Sequence, residues 1–253
     1  MNVHSIGFAD HDACRGVPFA AAARLSTMPE ALRSIPQDEV LVRQRRRQIF
    51  LAACRVLERK SFHEASVKEF ALEAGIAAGS IYVYLHGKDE ILVLIAESMV
   101  SELIDQLPII RERGGDDPRR ELIEMMRTIL DVIDRYREAF NVLHHEARYL
   151  ARRPRYRTAM AAASDPYLAA VSDVLERGRD AGLIHFVDLK SAVHIVHMLC
   201  AGWATGGRAL AGIDKETYWR EIAGIIEGRF FAAAAGNPIG QHHAAELQRS
   251  EES

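Results

Sequence analysis

The chain reads as all-α, and three observations predict it. Between Asp38 and about residue 235, apolar residues recur at three- and four-residue spacing. No stretch sustains the period-two alternation of a half-buried strand, and β-branched residues do not cluster. Of 253 residues, 49% are hydrophobic and 26% charged, enough to bury a core without disulfides or a structural metal. That apolar fraction also excludes disorder of the whole chain.

The elements follow in order. Residues 1–37 hold no sustained period and read as a poorly ordered extension, with at most one short helix near 19–25; Met28 offers an alternative start. A first helix spans 38–60, its apolar stripe made by Ile49, Ala52, Ala53, Val56 and Leu57. Ser66 is a good N-cap with Glu69 three residues later, a capping-box pattern, and Gly75 stops the short helix that follows. A third compact segment covers 77–84. His86 and Gly87 break it, and Lys88 opens a long helix carrying Ile91, Leu92, Ile95, Met99, Leu103 and Ile104. The run GGDDP at 114–118 is the strongest loop signal, with Asp117 and Pro118 suited to N-cap and first turn of the next helix. Further helices are expected at 138–152, at 164–181 before Gly182, at 189–210 and at 217–234. The polar tail after Gly236 is expected to be disordered. The organisation is therefore an extension (1–37), a small helical domain (38–88), a larger helical domain (89–235) and a tail (236–253).

Several classes fall away. No apolar run approaches the roughly 20 residues that span a bilayer, so no membrane partner is expected. No basic segment precedes the apolar run at 17–23, which argues against a secretory leader. Cys14, Cys54 and Cys200 are widely spaced and form no CxxC pair, as suits a reducing cytoplasm. There is no GxSxG elbow, P-loop or GxGxxG, and none of the Glu-x-x-His repeats of di-metal helical bundles, so no enzyme and no cofactor is expected. The net charge of −3 gives no global sign of nucleic-acid binding, which must then come from a local patch.

Such a patch exists. Between residues 43 and 88 nine basic residues face four acidic ones, a formal +5 in an otherwise acidic chain. The same stretch has the form of a helix-turn-helix: a short helix ending at Gly75, a tight turn, then a compact third segment. Val67, Phe70, Ile76 and Ile81 can fill its core, with small Ala71 and Ala74 at the crossing. The third segment leaves Ala77, Ala78, Ser80, Tyr82 and Val83 for a groove, and its first N–H groups suit a phosphate or a base edge. A charged run such as 43–47 is often only a solvated helix face; beside a helix-turn-helix, phosphate contact by Arg45 and Arg46 is the stronger reading.

Four spaced motifs make the match more specific: QIFLAA at 48–53, SVKEFALEAGI at 66–76, GSIYVYL at 79–85 and KDEIL at 88–92. Together they resemble the N-terminal domain of the TetR family of bacterial transcriptional regulators, over about 50 residues. The remaining two-thirds is similar to that family only in helix count and placement. The resemblance implies an all-helical homodimer whose three N-terminal helices bind the major groove of double-stranded operator DNA. The helices after them would hold a small-molecule effector, and the last two would pair the subunits. It implies phosphate contacts by Ser66 and Lys88, and a recognition segment containing Gly79, Ser80, Tyr82 and Tyr84. Ala77 stands where the family usually has a Ser or Thr cap, Val83 where it has a polar residue, Leu85 where it has an aromatic and Ser61 where it has a glycine. Val83 and Ala78 thus offer apolar contact, as to thymine methyls, in place of hydrogen bonds.

In the larger domain, the segment FNVLHHEARYL at 140–150 is polar for a bundle helix. His144, Glu146 and Arg148 could face a cavity, a subunit seam or solvent. His194 and His197 share one face of an apolar helix. A metal site with His144 or His145 is conceivable, but such pairs are more often buried and hydrogen-bonded, and no metal is expected. Met126, Phe140, His144, Arg148, Tyr149, Tyr167, His194, His197 and Trp203 are the candidate effector-site residues, an apolar lining with a few polar groups. Gly202, Gly206 and Gly207 interrupt a good helix and fit either close helix approach at a subunit seam or a frayed end. The function expected is a DNA-binding repressor released by a small hydrophobic or amphipathic molecule. The alternative is a helical interaction protein whose helix-turn-helix no longer binds DNA.

Overall fold

A computed structural model describes residues 39–231. The extension, its short helix, Met28, Cys14 and the tail after residue 231 lie outside the described residues. The chain forms two compact units, Met1–Val42 and Arg43–Ser253; of the first, only the residues opening the first helix are described.

Helix α1, Glu39–Leu57, turns Ile49, Phe50, Ala52 and Ala53 fully inward. Helix α2, Val67–Glu73, starts at the expected capping box. Ser66 Oγ accepts from the Glu69 N–H, and the Glu69 carboxylate accepts from the Ser66 N–H at 2.8 Å. It stops at Gly75, whose φ of +65° lies in the left-handed region that glycine enters without penalty. The third segment is shorter than expected: only Ser80–Val83 forms a turn of 3₁₀-helix. Gly79 at its start provides no side-chain cap, so nothing local extends the segment into a longer helix.

Helix α3, Glu90–Gly114, is buried without interruption from Ile91 to Ala96. Asp117 caps α4, Pro118–Arg135, by accepting from the Arg119 N–H at 2.9 Å. Helix α5 is Arg137–Ala151, α6 is Pro154–Asp180 and α7 is Leu189–Thr205. Helix α8, Lys215–Ile226, widens into a π turn at Glu227–Phe231. The sequence reading started α6 ten residues late. Pro154 occupies the first turn, where its missing N–H costs nothing, and the helix then runs on through Pro166. It also carried α7 too far: Gly207, at φ +50°, leaves the helical region, and Gly207–Leu210 is a separate 3₁₀ turn.

Helix α3 packs on α4 and α6, and α4 packs on α6 and α7, so α3 and α4 form the spine of the larger bundle. Two glycines permit close approaches. A Cβ on Gly114 would lie 2.8 Å from Glu121 Cβ, and one on Gly202 would lie 2.5 Å from the Tyr218 hydroxyl. The α7 glycine therefore serves contact with α8 of the same chain: Tyr218 O–H donates to the Leu199 carbonyl at 2.7 Å. Glu121 is buried and is held by Arg177 at 2.8 and 2.9 Å. No helix among the described residues is long and apolar enough to cross a membrane.

Candidate nucleic-acid interface and effector site

The helix-turn-helix is assembled around Ile81, Phe70 and Ala71, all fully buried. The Gln48 carboxamide of α1 donates to the Ala74 carbonyl, which pins the turn. Leu85, in the usual aromatic position, is 1% exposed and fills the same core. These buried groups leave Ala77, Ala78, Gly79, Ser80 and Tyr82 exposed, while Tyr84 is half-buried. Tyr82 is 48% exposed, a large side chain with no core role, as a groove-reading residue requires.

The cations divide into two groups. Arg55 and Arg59 pair with Glu73, and Lys60 pairs with Glu69, so part of the local charge is neutralised within the module. These partners hold the Glu69 carboxyl at about 2, through Lys60 first and then Ser66. Arg43, Arg47 and Lys68 are exposed. Arg45 donates to Gln48 Oε1 at 2.8 Å and is half-buried. Arg46 requires a correction: its side chain is 12% exposed and turned inward, paired with Glu97 of α3 and reaching the Tyr84 carbonyl. It fixes α1 against α3 and does not present itself to a phosphate. Its partner lies 51 residues away, which no local pattern reveals. Lys88 lies over the Phe62 ring at 4.8 Å and donates to the His63 carbonyl at 2.9 Å. It tethers the loop before α2 to the start of α3.

In the larger domain the structure brings together part of the candidate set. Met126 (α4) and Tyr167 (α6) are buried, as is Cys200 (α7), whose thiol donates to the Met126 carbonyl at 3.6 Å. The Tyr167 hydroxyl lies 3.3 Å from His197 Nδ1. Burial pushes His197 down to about 4, with repulsion from His194 and His144 adding to it. Burial likewise raises the Tyr167 hydroxyl and pushes the Cys200 thiol up to about 12. Phe140 and His144 stack at 6.2 Å on α5. Trp203 sits farther along α7, its N–H donating to Asp134 at 2.7 Å.

Two candidates lie elsewhere. Arg148 is exposed, and Tyr149 is 44% exposed beneath the Arg153 guanidinium, which also holds Asp89 at the start of α3. Tyr149 thus belongs to the corner that joins the two domains, where Arg155 pairs with Glu90 and His63 with Glu146 at 3.1 Å. His194 is exposed at the rim. Among the described residues, no three His, Cys, Asp or Glu side chains converge on a position for a metal ion. Two open grooves, of about 440 and 480 Å³, lie between α1 and α2 and beside the Arg119–Arg120 corner of α4, away from these residues.

Comparison with known proteins adds the family level. The model for "Bacterial regulatory proteins, tetR family" matches residues 49–95, and that for "Tetracyclin repressor-like, C-terminal domain" matches residues 115–205. The HTH-type transcriptional regulator HbdR of Aromatoleum sp. (strain CIB) is 29% identical over 110 residues, 44% of this chain and 48% of that protein. The fatty acid metabolism regulator protein of Bacillus subtilis (strain 168) is 32% identical over 60 residues, 24% of this chain and 31% of its own length. The matches thus span half or less of these curated relatives. Among solved structures, the fatty acid degradation regulator FadR of Bacillus halodurans superposes with a TM-score of 0.61 at 18% identity, covering 73% of this chain and 95% of that one. FadR from Bacillus subtilis in complex with stearoyl-CoA gives 0.60 at 20% identity, covering 72% and 97%. At these identities the likeness is one of fold.

Proposed function

The chain belongs to the TetR family of bacterial regulatory proteins, and on that premise we propose that it is a cytoplasmic DNA-binding transcriptional repressor released from its operator by a small apolar or amphipathic effector. The observation that carries the reading is the helix-turn-helix itself. A capped α2, a left-handed Gly75 and a plugged Ile81 hold out an exposed surface of Ala77, Ala78, Ser80 and Tyr82, with Lys68 nearby in sequence. The subunits pair through α7 and α8, whose Ile195, Met198 and Ile225 are large apolar side chains left exposed on the single chain. A dimer requires two half-sites at a fixed spacing, so a small pivot of α3 is enough to lose affinity. The effector has to bind the non-DNA conformation more tightly, since equal affinity for both states shifts nothing.

The test is binding of the purified protein to DNA from upstream of its own gene, over a salt series, with Tyr82→Ala and Lys88→Ala alongside. Sequence-selective binding with a steep salt slope, weakened in both variants while the dimer persists, is the expected result. Binding indifferent to sequence, both there and in a selection from random DNA, would overturn it.

A further inference from the structure

The seam between α5 and α7 carries a group of polar side chains for which the packing of the bundle supplies no role. Arg137, in the first turn of α5, lies 4.1 Å over Trp203 near the end of α7. His144, seven residues farther along α5, acts electrostatically on His197, six residues back along α7. The helices therefore run antiparallel, and Asn141 lies along α5 between Arg137 and His144. Its Oδ1 is buried and has no hydrogen-bond partner. A buried polar atom left so is uncommon and calls for a partner. A half-turn of the carboxamide, which keeps its shape, puts N–H donors in the same place.

The titratable groups gathered about His197 at this seam are imidazoles and a phenol. His197 of α7 lies 3.3 Å from the Tyr167 hydroxyl of α6, His144 of α5 acts on it across the seam, and His194, one turn back on α7, is exposed at the rim. The acids on the neighbouring helices are engaged elsewhere. Glu146 of α5 is turned to His63, and Asp134 of α4 to Trp203 and to Lys215 of α8. Asp173 of α6 is held by Arg111 and Arg177, and Asp165 is exposed. His197 and the Tyr167 hydroxyl, with His144 and the Asn141 carboxamide on α5, thus lie along this seam with no carboxylate paired to them among the described residues, and Arg148 stands exposed on the next turn of α5. We propose that this seam binds the carboxylate head of the effector, an amphiphile whose apolar body is directed towards Phe140. The inference rests on the regulator reading, because it names the ligand class of that protein's effector site.

A carboxylate bound there favours the protonated form of His197, which burial otherwise keeps neutral, so binding takes up a proton and tightens as pH falls from 8 to 6, where an alkanoate stays ionised. The experiment titrates the full-length protein with decanoate, decanol and decyltrimethylammonium, following tryptophan fluorescence, at pH 8 and pH 6. Decanoate is expected to bind about tenfold more tightly than decanol, and His144→Gln to lose about tenfold in decanoate affinity. Asn141→Ala should do the same, while neither variant changes affinity for decanol. Equal binding of decanoate and decanol, preference for the cation, or no binding of any probe would overturn the proposal. Operator binding by the same samples is measured separately. If DNA is bound but decanoate is not, the ligand class falls and the regulator reading stands. If decanoate is bound through His144 but no DNA is, the regulator reading falls and the carboxylate site stands.

Discussion

His197 is neutral in the folded protein because burial pushes it down to about 4, with His194 and His144 adding repulsion. In the unfolded chain it titrates near 6.5, so the unfolded state binds more protons between those values. Stability is then fully present above pH 6.5 and declines as pH falls towards 4, by about 3 kcal/mol at most. Urea midpoints at pH 7 and pH 5 should differ less in His197→Gln than in the parent; an unchanged difference would assign the acid loss to other groups. The cysteines make a second residue-scale case. Cys54 and Cys200 are buried and both thiols are pushed up to about 12, so neither supplies thiolate at neutral pH. Iodoacetamide at pH 8 should leave the peptides containing Cys54 and Cys200 unmodified until denaturant is added. Rapid labelling of either in the native protein would contradict the packing described.

At the scale of elements, the start of α2 has two roles that substitution can separate. Ser66 caps the helix, and the family resemblance also places it at a phosphate. Ser66→Ala removes the cap and should lower stability by about 1 kcal/mol. Ser66→Asp keeps a good cap but brings a negative charge to the DNA, so it should melt like the parent and lose operator affinity. Retained operator binding in Ser66→Asp would remove Ser66 from the interface. The crossing of α3 and α4 makes a sterner demand. A Cβ at Gly114 meets Glu121 Cβ at 2.8 Å and its Cα at 2.9 Å, and backbone cannot swing aside as a flexible side chain does. Gly114→Ala should therefore cost about 1–3 kcal/mol by overpacking, although alanine is the better helix former. A thermal midpoint equal to or above the parent's would show that the crossing relaxes freely.

Across the whole molecule, the link between domains is a corner of charges. Arg153 reaches Asp89 and Arg155 reaches Glu90, both where the chain enters α3, while His63 and Glu146 meet beside them. Helix α5 bears both Glu146 and the seam histidine His144, so on the proposed effector reading a shift of α5 would act on the helix-turn-helix through this corner. The double substitution Arg153→Ala/Arg155→Ala should leave operator affinity within about threefold, since such half-exposed pairs contribute little stability. It should also weaken the release of DNA by effector. Full release in the double variant, measured by fluorescence anisotropy of labelled operator, would place the coupling elsewhere.

What was legible in the sequence is local. The capping box at Ser66 and Glu69, the stop at Gly75, the Asp117–Pro118 helix start and the inward stripe of α1 depend on neighbours a few residues apart, so spacing and residue type were sufficient for them. The extent of α6 was not legible, because Pro166 reads as a boundary yet the surrounding packing carries the helix through it. The role of Gly202 was not legible either: it makes room for a tyrosine sixteen residues on, across a turn. The same holds for the site residues. Sequence by itself determined the all-helical class and the helix-turn-helix, with Ala77–Ser80 and Tyr82 left exposed. Only the tertiary structure decided that Arg46 is spent on Glu97, that Tyr149 joins the domain corner, and that His144, His197, Tyr167 and Asn141 share one seam. Ion pairs and burial depend on distances through space, and chain order does not encode them until the helices have packed.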